Sequence, residues 1–284
     1  MYARILVPLD GSKLPEQVLP YVRLLASTFK IPISLLNVFE PVSPQLADPE
    51  HNLFESQIST NFRDQANDYL QKVKSTLDDI GVVISCDVHE GNPANHIINE
   101  AEKTDNTLIA MATHGRSGLG RWVMGSITDK VLRGTTSPLL ITSTREEDQE
   151  PSELSLKNVI VPLDGSPLAE QVLPHMIPLA QAQGLNVILV RVTPSAEEYH
   201  RYMNQHMVSA SATVYSGPYE EFAKDADAQA MQYLHQVKER LIGQGVLSID
   251  DRLVRGHAAD AILDLIHQRS CNAYFHFCFD EKIV

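Results

Sequence analysis

Apolar positions along this chain come in two alternating textures. Short unbroken runs, ARILVPL at 3–9, ISLLNVF at 33–39, VVISCDVHEG at 82–91, TLIAMA at 107–112 and PLLIT at 138–142, have the length of buried strands. Between them the apolar residues recur at helical spacing. After the Asp10-Gly11-Ser12 turn, Leu14, Val18, Leu19, Val22, Leu25 and Ala26 predict a helix that tolerates Pro15 in its first turn and bends at Pro20. Phe62, Ala66, Tyr69, Leu70, Val73 and Leu77 predict a second over 58–79, and others fall at 93–103 and 122–133. Strands that alternate with helices require right-handed crossovers and a parallel sheet covered on both faces. The fold class is therefore α/β, doubly wound, with ligands expected beyond the carboxyl ends of the strands where the strand order reverses.

The pattern occurs twice. VPLDGSKLPEQV at 7–18 returns as VPLDGSPLAEQV at 161–172, so that Asp10 recurs as Asp164, Leu35 as Leu189 and Val38 as Val192. EGNPANHII at 90–98 then returns as RGHAADAIL at 255–263, after a longer insertion between 193 and 228. The acidic stretch STREEDQEPSELS has the composition of an exposed linker. The expected plan is a first domain over 1–143, a linker over 144–156 and a second domain over 157–284.

Composition narrows the partners. A formal net charge of −13 disfavours nucleic acid and anionic membranes, which are held through clustered Lys and Arg. No apolar run approaches the roughly 20 residues of a membrane span, and the N-terminus lacks the cleavage site of a signal peptide. Cys86, Cys271 and Cys278 fit neither a disulfide framework nor a zinc pattern. A cytoplasmic protein is expected, and NAYFHFCF near the C-terminus reads as a strand rather than a metal cluster.

The segment ATHGRSGLGRWVMGSITDKV at 112–131 follows a predicted strand and opens a helix. Gly115, Gly118 and Gly120 let backbone amides approach phosphate oxygens, Arg116 and Arg121 offer charged donors, and Gly125-Ser126 adds free amides and a hydroxyl at the helix start. It is neither a P-loop nor a GxGxxG fingerprint.

With PLDGS after the first strand, GNPA before a later helix and ATHGRSGLGRWVMGS near the end of the first half, the chain resembles universal stress proteins. The resemblance implies two Rossmann-like domains of the adenine nucleotide alpha hydrolase-like type, the second truncated. In that family, ATP-binding members carry a GxxGx9G(S/T) pattern, matched here by Ala112, Gly115, Gly125 and Ser126, with alanine where the pattern has glycine. Carried over, it implies that Pro8, Leu9 and Asp10 border the adenosine and that Val38 contacts adenine. Met111 and Ala112 would line the nucleoside pocket, and His114, Gly115, Arg116, Gly125, Ser126 and Ile127 would meet the phosphates. Magnesium would accompany ATP, with Asp10 as its candidate ligand.

The second half departs from this pattern, because Phe279 and Asp280 stand where His114 and Gly115 stand in the first. The family usually pairs its two domains through their last strands. Without such a strand in the second half, 138–142 is expected to remain an unpaired edge and to form a homodimer. There is no Walker lysine, no general base and no carboxylate pair, which implies at most weak ATP hydrolysis. Two further readings stay open: a dimeric scaffold of the same fold that binds no nucleotide, for which Ala112 is the support, and an ATP-pyrophosphatase relative, whose SGGxDS-type loop LDGSK does not reproduce.

Overall fold

The computed structural model describes residues 2–40, 52–113, 125–143, 156–206, 219–268 and 273–276. They fall into two compact units, one of residues 1–154 with 272–284, the other of 155–271.

The first unit carries β1 (Arg4–Pro8), α1 (Lys13–Glu16), α2 (Leu19–Phe29), β2 (Ile33–Phe39), α3 (Asn52–Ser75), β3 (Ile84–Glu90), α4 (Pro93–Glu102), β4 (Thr107–Thr113), α5 (Ser126–Gly134) and β5 (Leu139–Ser143). Its sheet runs β3-β2-β1-β4-β5, all parallel, and then adds β9 (Ala273–His276) beyond β5. On the central strand β1, Ile5, Leu6 and Val7 are all fully buried, which requires cover on both faces of the sheet. One face packs Leu6, Leu36, Ile109, Leu139 and Ile141 against Ala94, Ile97 and Ala101 of α4 and Val131 of α5.

The helix expected to bend at Pro20 is two helices. The Gln17 and Val18 amides donate to the carbonyls of Leu14 and Pro15, closing α1 as a single turn, and Pro20 lies in the first turn of α2. A proline there has no intrahelical hydrogen bond to lose. The helix expected over 58–79 runs earlier, over Asn52–Ser75, and the chain beyond it tightens into a short turn over Asp78–Ile80 that keeps Leu77 and Ile80 buried.

Arg4 ties β1 to α4. Its guanidinium donates to the Glu100 carboxylate at 3.2 Å and to the Glu100 carbonyl, and Lys103 Nζ reaches the same carboxylate at 2.5 Å. Burial pushes the Glu100 carboxyl up, but hydrogen bonds from Lys103 and Arg4 outweigh it and hold the group below the usual carboxylate range. A depressed folded-state value means that the contribution is complete above the unfolded-state value, about 4.3, and is lost as pH falls through the folded one. Glu100→Gln is therefore expected to cost about 2 kcal/mol at pH 7. In urea titrations the gap between wild type and variant should narrow as pH falls below the usual carboxylate range; a gap that stays constant there would place the cost in packing instead.

One expectation is corrected by the sheet. The strand at 138–142 is not an unpaired edge: β5 pairs antiparallel with β9, Leu139 opposite His276 and Thr142 opposite Ala273. The C-terminal segment does form a strand, but it adds to the sheet of the first unit.

The second unit holds β6 (Asn158–Pro162), α6 (Pro167–Glu170), α7 (Leu173–Gln183), β7 (Asn186–Thr193), α8 (Ala196–His206), α9 (Tyr219–Gly243), β8 (Ile249–Arg255) and α10 (Ala258–Gln268). Its sheet is the parallel set β6-β7-β8. β6 repeats the sequence of β1 yet forms an edge, and Asn158, Val159 and Ile160 are only half-buried. The opposite edge, β8, reads IDDRLVR, with the charges that keep an exposed edge soluble.

Candidate functional site

The first unit's chain leaves β1 for β2 and β3 on one side, then returns to β4 and β5 on the other. The strand order thus reverses between β1 and β4, whose carboxyl ends carry Pro8-Leu9-Asp10 and Met111-Ala112-Thr113. In open α/β sheets a crevice forms at such a point, because the loops of the neighbouring strands leave toward opposite faces.

The first loop is fixed from beneath. The Leu9 amide donates to the Leu36 carbonyl at 2.8 Å, and the Leu9 carbonyl accepts the Asn37 side-chain amide at 2.8 Å. Asn37 is buried, so this bond satisfies a polar group that would otherwise be costly. Asp10 is exposed and its Oδ1 accepts the Ser12 amide at 2.8 Å, a turn closed by the side chain. Gly11 adopts φ +85° with open space where a Cβ would stand.

Val38 and Met111 pack into the apolar layer beneath α4 and α5. Ala112 lies in β4 opposite Thr142, and the positive-φ non-glycine residues among those described are Lys30 and Asn106. The backbone at 112 is thus ordinary strand, and the extra methyl group at this pattern position imposes no conformational strain.

Helix α5 starts with Gly125 as its N-cap, and among the described residues no side chain caps the Ser126 and Ile127 amides. Ile127 is exposed. The Gly125 amide, expected to be free, donates to Thr113 Oγ1 at 3.3 Å. That bond joins the end of β4 to the start of α5 while using one amide of the expected cradle. His114, Gly115 and Arg116 lie outside the described residues.

The sequence reading missed Asn37, Thr113 and a further tie: the Tyr69 hydroxyl of α3 donates to Glu16 Oε1 at 2.9 Å, fixing the long helix to α1 beside the Asp10 turn. Burial raises the Tyr69 phenol well above its ordinary value, and the bond to Glu16 adds to this. Its signal was in the repeat, since Tyr233 donates to Glu170 Oε1 at the same 2.9 Å.

The turn in the second unit is built alike and finished differently. Asp164 Oδ1 accepts the Ser166 amide at 2.8 Å and Gly165 adopts φ +88°. Here a Cβ on Gly165 would lie 2.6 Å from Arg191 Nη1, where the Gly11 turn has open space. Arg191 takes the place of Asn37, and its guanidinium stands 5.1 Å over the Tyr233 ring. Burial raises the Asp164 carboxyl, but hydrogen bonds at Ser166 and the Arg191 charge hold it below the usual range. Among the described residues no three His, Cys, Asp or Glu side chains cluster to hold a metal.

The universal stress protein family model matches the chain twice, over residues 1–143 and 155–273. A universal stress protein of Methanocaldococcus jannaschii is 30% identical over 148 residues, covering 52% of this chain and 86% of its own length. One from Bacillus subtilis is 28% identical over 148 residues, covering 50% of this chain and 99% of its own. Among solved structures, a universal stress protein from Archaeoglobus fulgidus superposes with a TM-score of 0.66 at 20% identity, covering 95% of this chain and 85% of that one, which shows a shared fold.

Proposed function

Because the chain belongs to the universal stress protein family, we propose that its first unit holds ATP at the crevice between the Asp10 turn and α5, and that occupancy rather than turnover is its output in a cytoplasmic stress response. The observation that supports this reading is an Asp10-Gly11 turn with space beside it and an α5 start without a side-chain cap, among the described residues, both at the reversal of strand order.

The roles follow from position. Pro8 and Leu9 form a rigid floor, held by the Asn37 and Leu36 hydrogen bonds. Val38 and Met111 offer an apolar wall to the base. The Ser126 and Ile127 amides face phosphate with the partial positive charge of a helix start, worth about half an elementary charge, and His114, Gly115 and Arg116 complete the cradle from the loop. A single exposed carboxylate, Asp10, fits a magnesium ion that arrives already bound to phosphate oxygens and needs few protein ligands. When bound, that ion would neutralise phosphate charge. The sequence offers no Walker lysine and no carboxylate pair for two-metal catalysis, which supports slow or absent hydrolysis.

The second unit contributes no site, because Arg191 fills the space beside its turn and Asp280 stands at the position of Gly115. Calorimetric titration with ATP and magnesium is expected to give one site per chain. Two sites would overturn the asymmetry, and no heat at millimolar nucleotide would overturn the nucleotide reading. The alternative, a scaffold that binds no nucleotide, is favoured by the Gly125 amide's bond to Thr113.

A further inference from the structure

The turns after β1 and β6 are assembled from the same parts. In each, the amide of the leucine before the aspartate donates to the neighbouring strand at 2.8 Å, from Leu9 to the Leu36 carbonyl and from Leu163 to that of Val190. The aspartate Oδ1 takes the serine amide at 2.8 Å, and the glycine between them adopts φ +85° or +88°. A tyrosine of the long helix completes both, bonded at 2.9 Å to Glu16 or Glu170. One position departs. Asn37 of β2 donates to the Leu9 carbonyl beneath its turn, whereas the counterpart on β7, Arg191, reaches the glycine itself. We infer that this position selects which turn a nucleotide can rest on: Arg191 is a resident plug beside Gly165, and Asn37 is the specificity-determining residue that keeps the space beside Gly11 clear. The identity of the ligand rests on the ATP reading above.

The plug is seated on three sides. Its guanidinium lies 5.1 Å over the Tyr233 ring, within the range of a cation–π contact. Tyr233 is braced in turn, because Glu170 takes its hydroxyl on one carboxylate oxygen and Arg240 on the other, the latter at 2.6 Å. The Asp164 carboxylate supplies the opposite charge. A ligand entering beside Gly165 has to lift the guanidinium from the ring and from that carboxylate together.

The first unit has the same seat and leaves it empty. Among the described residues nothing lies within 4 Å of a Cβ built on Gly11. Asn37 is too short to rise beside the turn, and its amide is engaged with the Leu9 carbonyl. Tyr69 stands where Tyr233 stands, and both the Asp10 charge and the Gly11 amide act on its phenol. An arginine at 37 would therefore find a ring, a carboxylate and a glycine in the arrangement that holds Arg191.

The test is calorimetric titration of ATP with magnesium into full-length chains carrying Asn37→Arg or Asn37→Ala. Both variants lose the bond to the Leu9 carbonyl, but only arginine adds a plug, so a merely structural role would weaken both alike. Asn37→Ala is expected to bind within about fivefold of wild type, the loss of one hydrogen bond beneath the turn. Asn37→Arg is expected to bind at least about 30-fold more weakly than wild type. Equal affinities of the two variants, or tighter binding with arginine, overturn the inference and leave the ATP reading intact. A wild type that binds no ATP defeats that reading and the inference that rests on it. A nucleotide-free measurement covers an arginine variant that fails to fold. Gly165→Ala carries the same backbone strain whatever stands at 191, but meets the guanidinium only when Arg191 is present. The urea midpoint of the second unit, followed by hydrogen-exchange mass spectrometry, should fall by about 0.5 M more on Gly165→Ala in the wild-type background than in Arg191→Asn. An equal fall would reveal a guanidinium that swings aside at no cost, which cannot exclude a ligand, and would overturn the inference.

Discussion

Gly125→Val is expected to weaken ATP binding by about 30-fold or more, roughly 2 kcal/mol, while the chain stays folded. Gly125 sits at φ −60°, within reach of any residue, and among the described residues a Cβ there would meet Thr128 Oγ1 at an ordinary 3.9 Å. Valine is a poorer N-cap than glycine, so a stability loss of up to about 1 kcal/mol is expected. The branched side chain would stand at the helix start where phosphate oxygens must approach the 126 and 127 amides. Calorimetry measures the affinity, and a thermal melt without nucleotide measures the fold. Unchanged affinity would remove the α5 start from the site, and a collapsed melt would show that Gly125 serves packing.

The second large effect is structural and contrasts equivalent positions. Leu6→Ala on β1 is expected to cost about 3–4 kcal/mol, because Leu6 is fully buried between α4, β2 and β4 neighbours that cannot collapse into the space. Ile160→Ala, at the repeated position on β6, is expected to cost about 1–2 kcal/mol, since that residue is half-buried at an edge. Hydrogen-exchange mass spectrometry in increasing urea assigns each loss to its own unit. Equal losses would show that β6 is as enclosed as β1.

Local features of the sequence carried over well into the fold. The apolar runs at 3–9, 33–39 and 107–112 become β1, β2 and β4, because parallel strands buried on both faces need no alternation. The Asp10-Gly11 and Asp164-Gly165 turns adopt the positive φ that only glycine takes without strain. Pro20 misled, since a proline that bends a helix and one that starts a helix look alike until the preceding turn is seen to close. The destination of β9 was illegible. Strand identity is local, but the choice of partner and direction depends on which edges remain free. The Tyr69–Glu16 tie spans a long interval in sequence, and only its second occurrence, Tyr233–Glu170, marks it as part of the plan. At the candidate site, the turn and the α5 start were legible from glycine placement, whereas Asn37 and Thr113 were not, because a polar residue inside an apolar strand shows its purpose only through its partner.

That tyrosine tie has a further meaning. It survives in both copies, although one has Arg191 wedged beside its turn and the other leaves that space clear. What duplication kept is thus an architectural clamp, and what it altered is the space beside the turn. An engineer paring this chain to a minimal carrier for grafted loops should hold both clamps constant and treat the adjoining turns as the freely rewritable part.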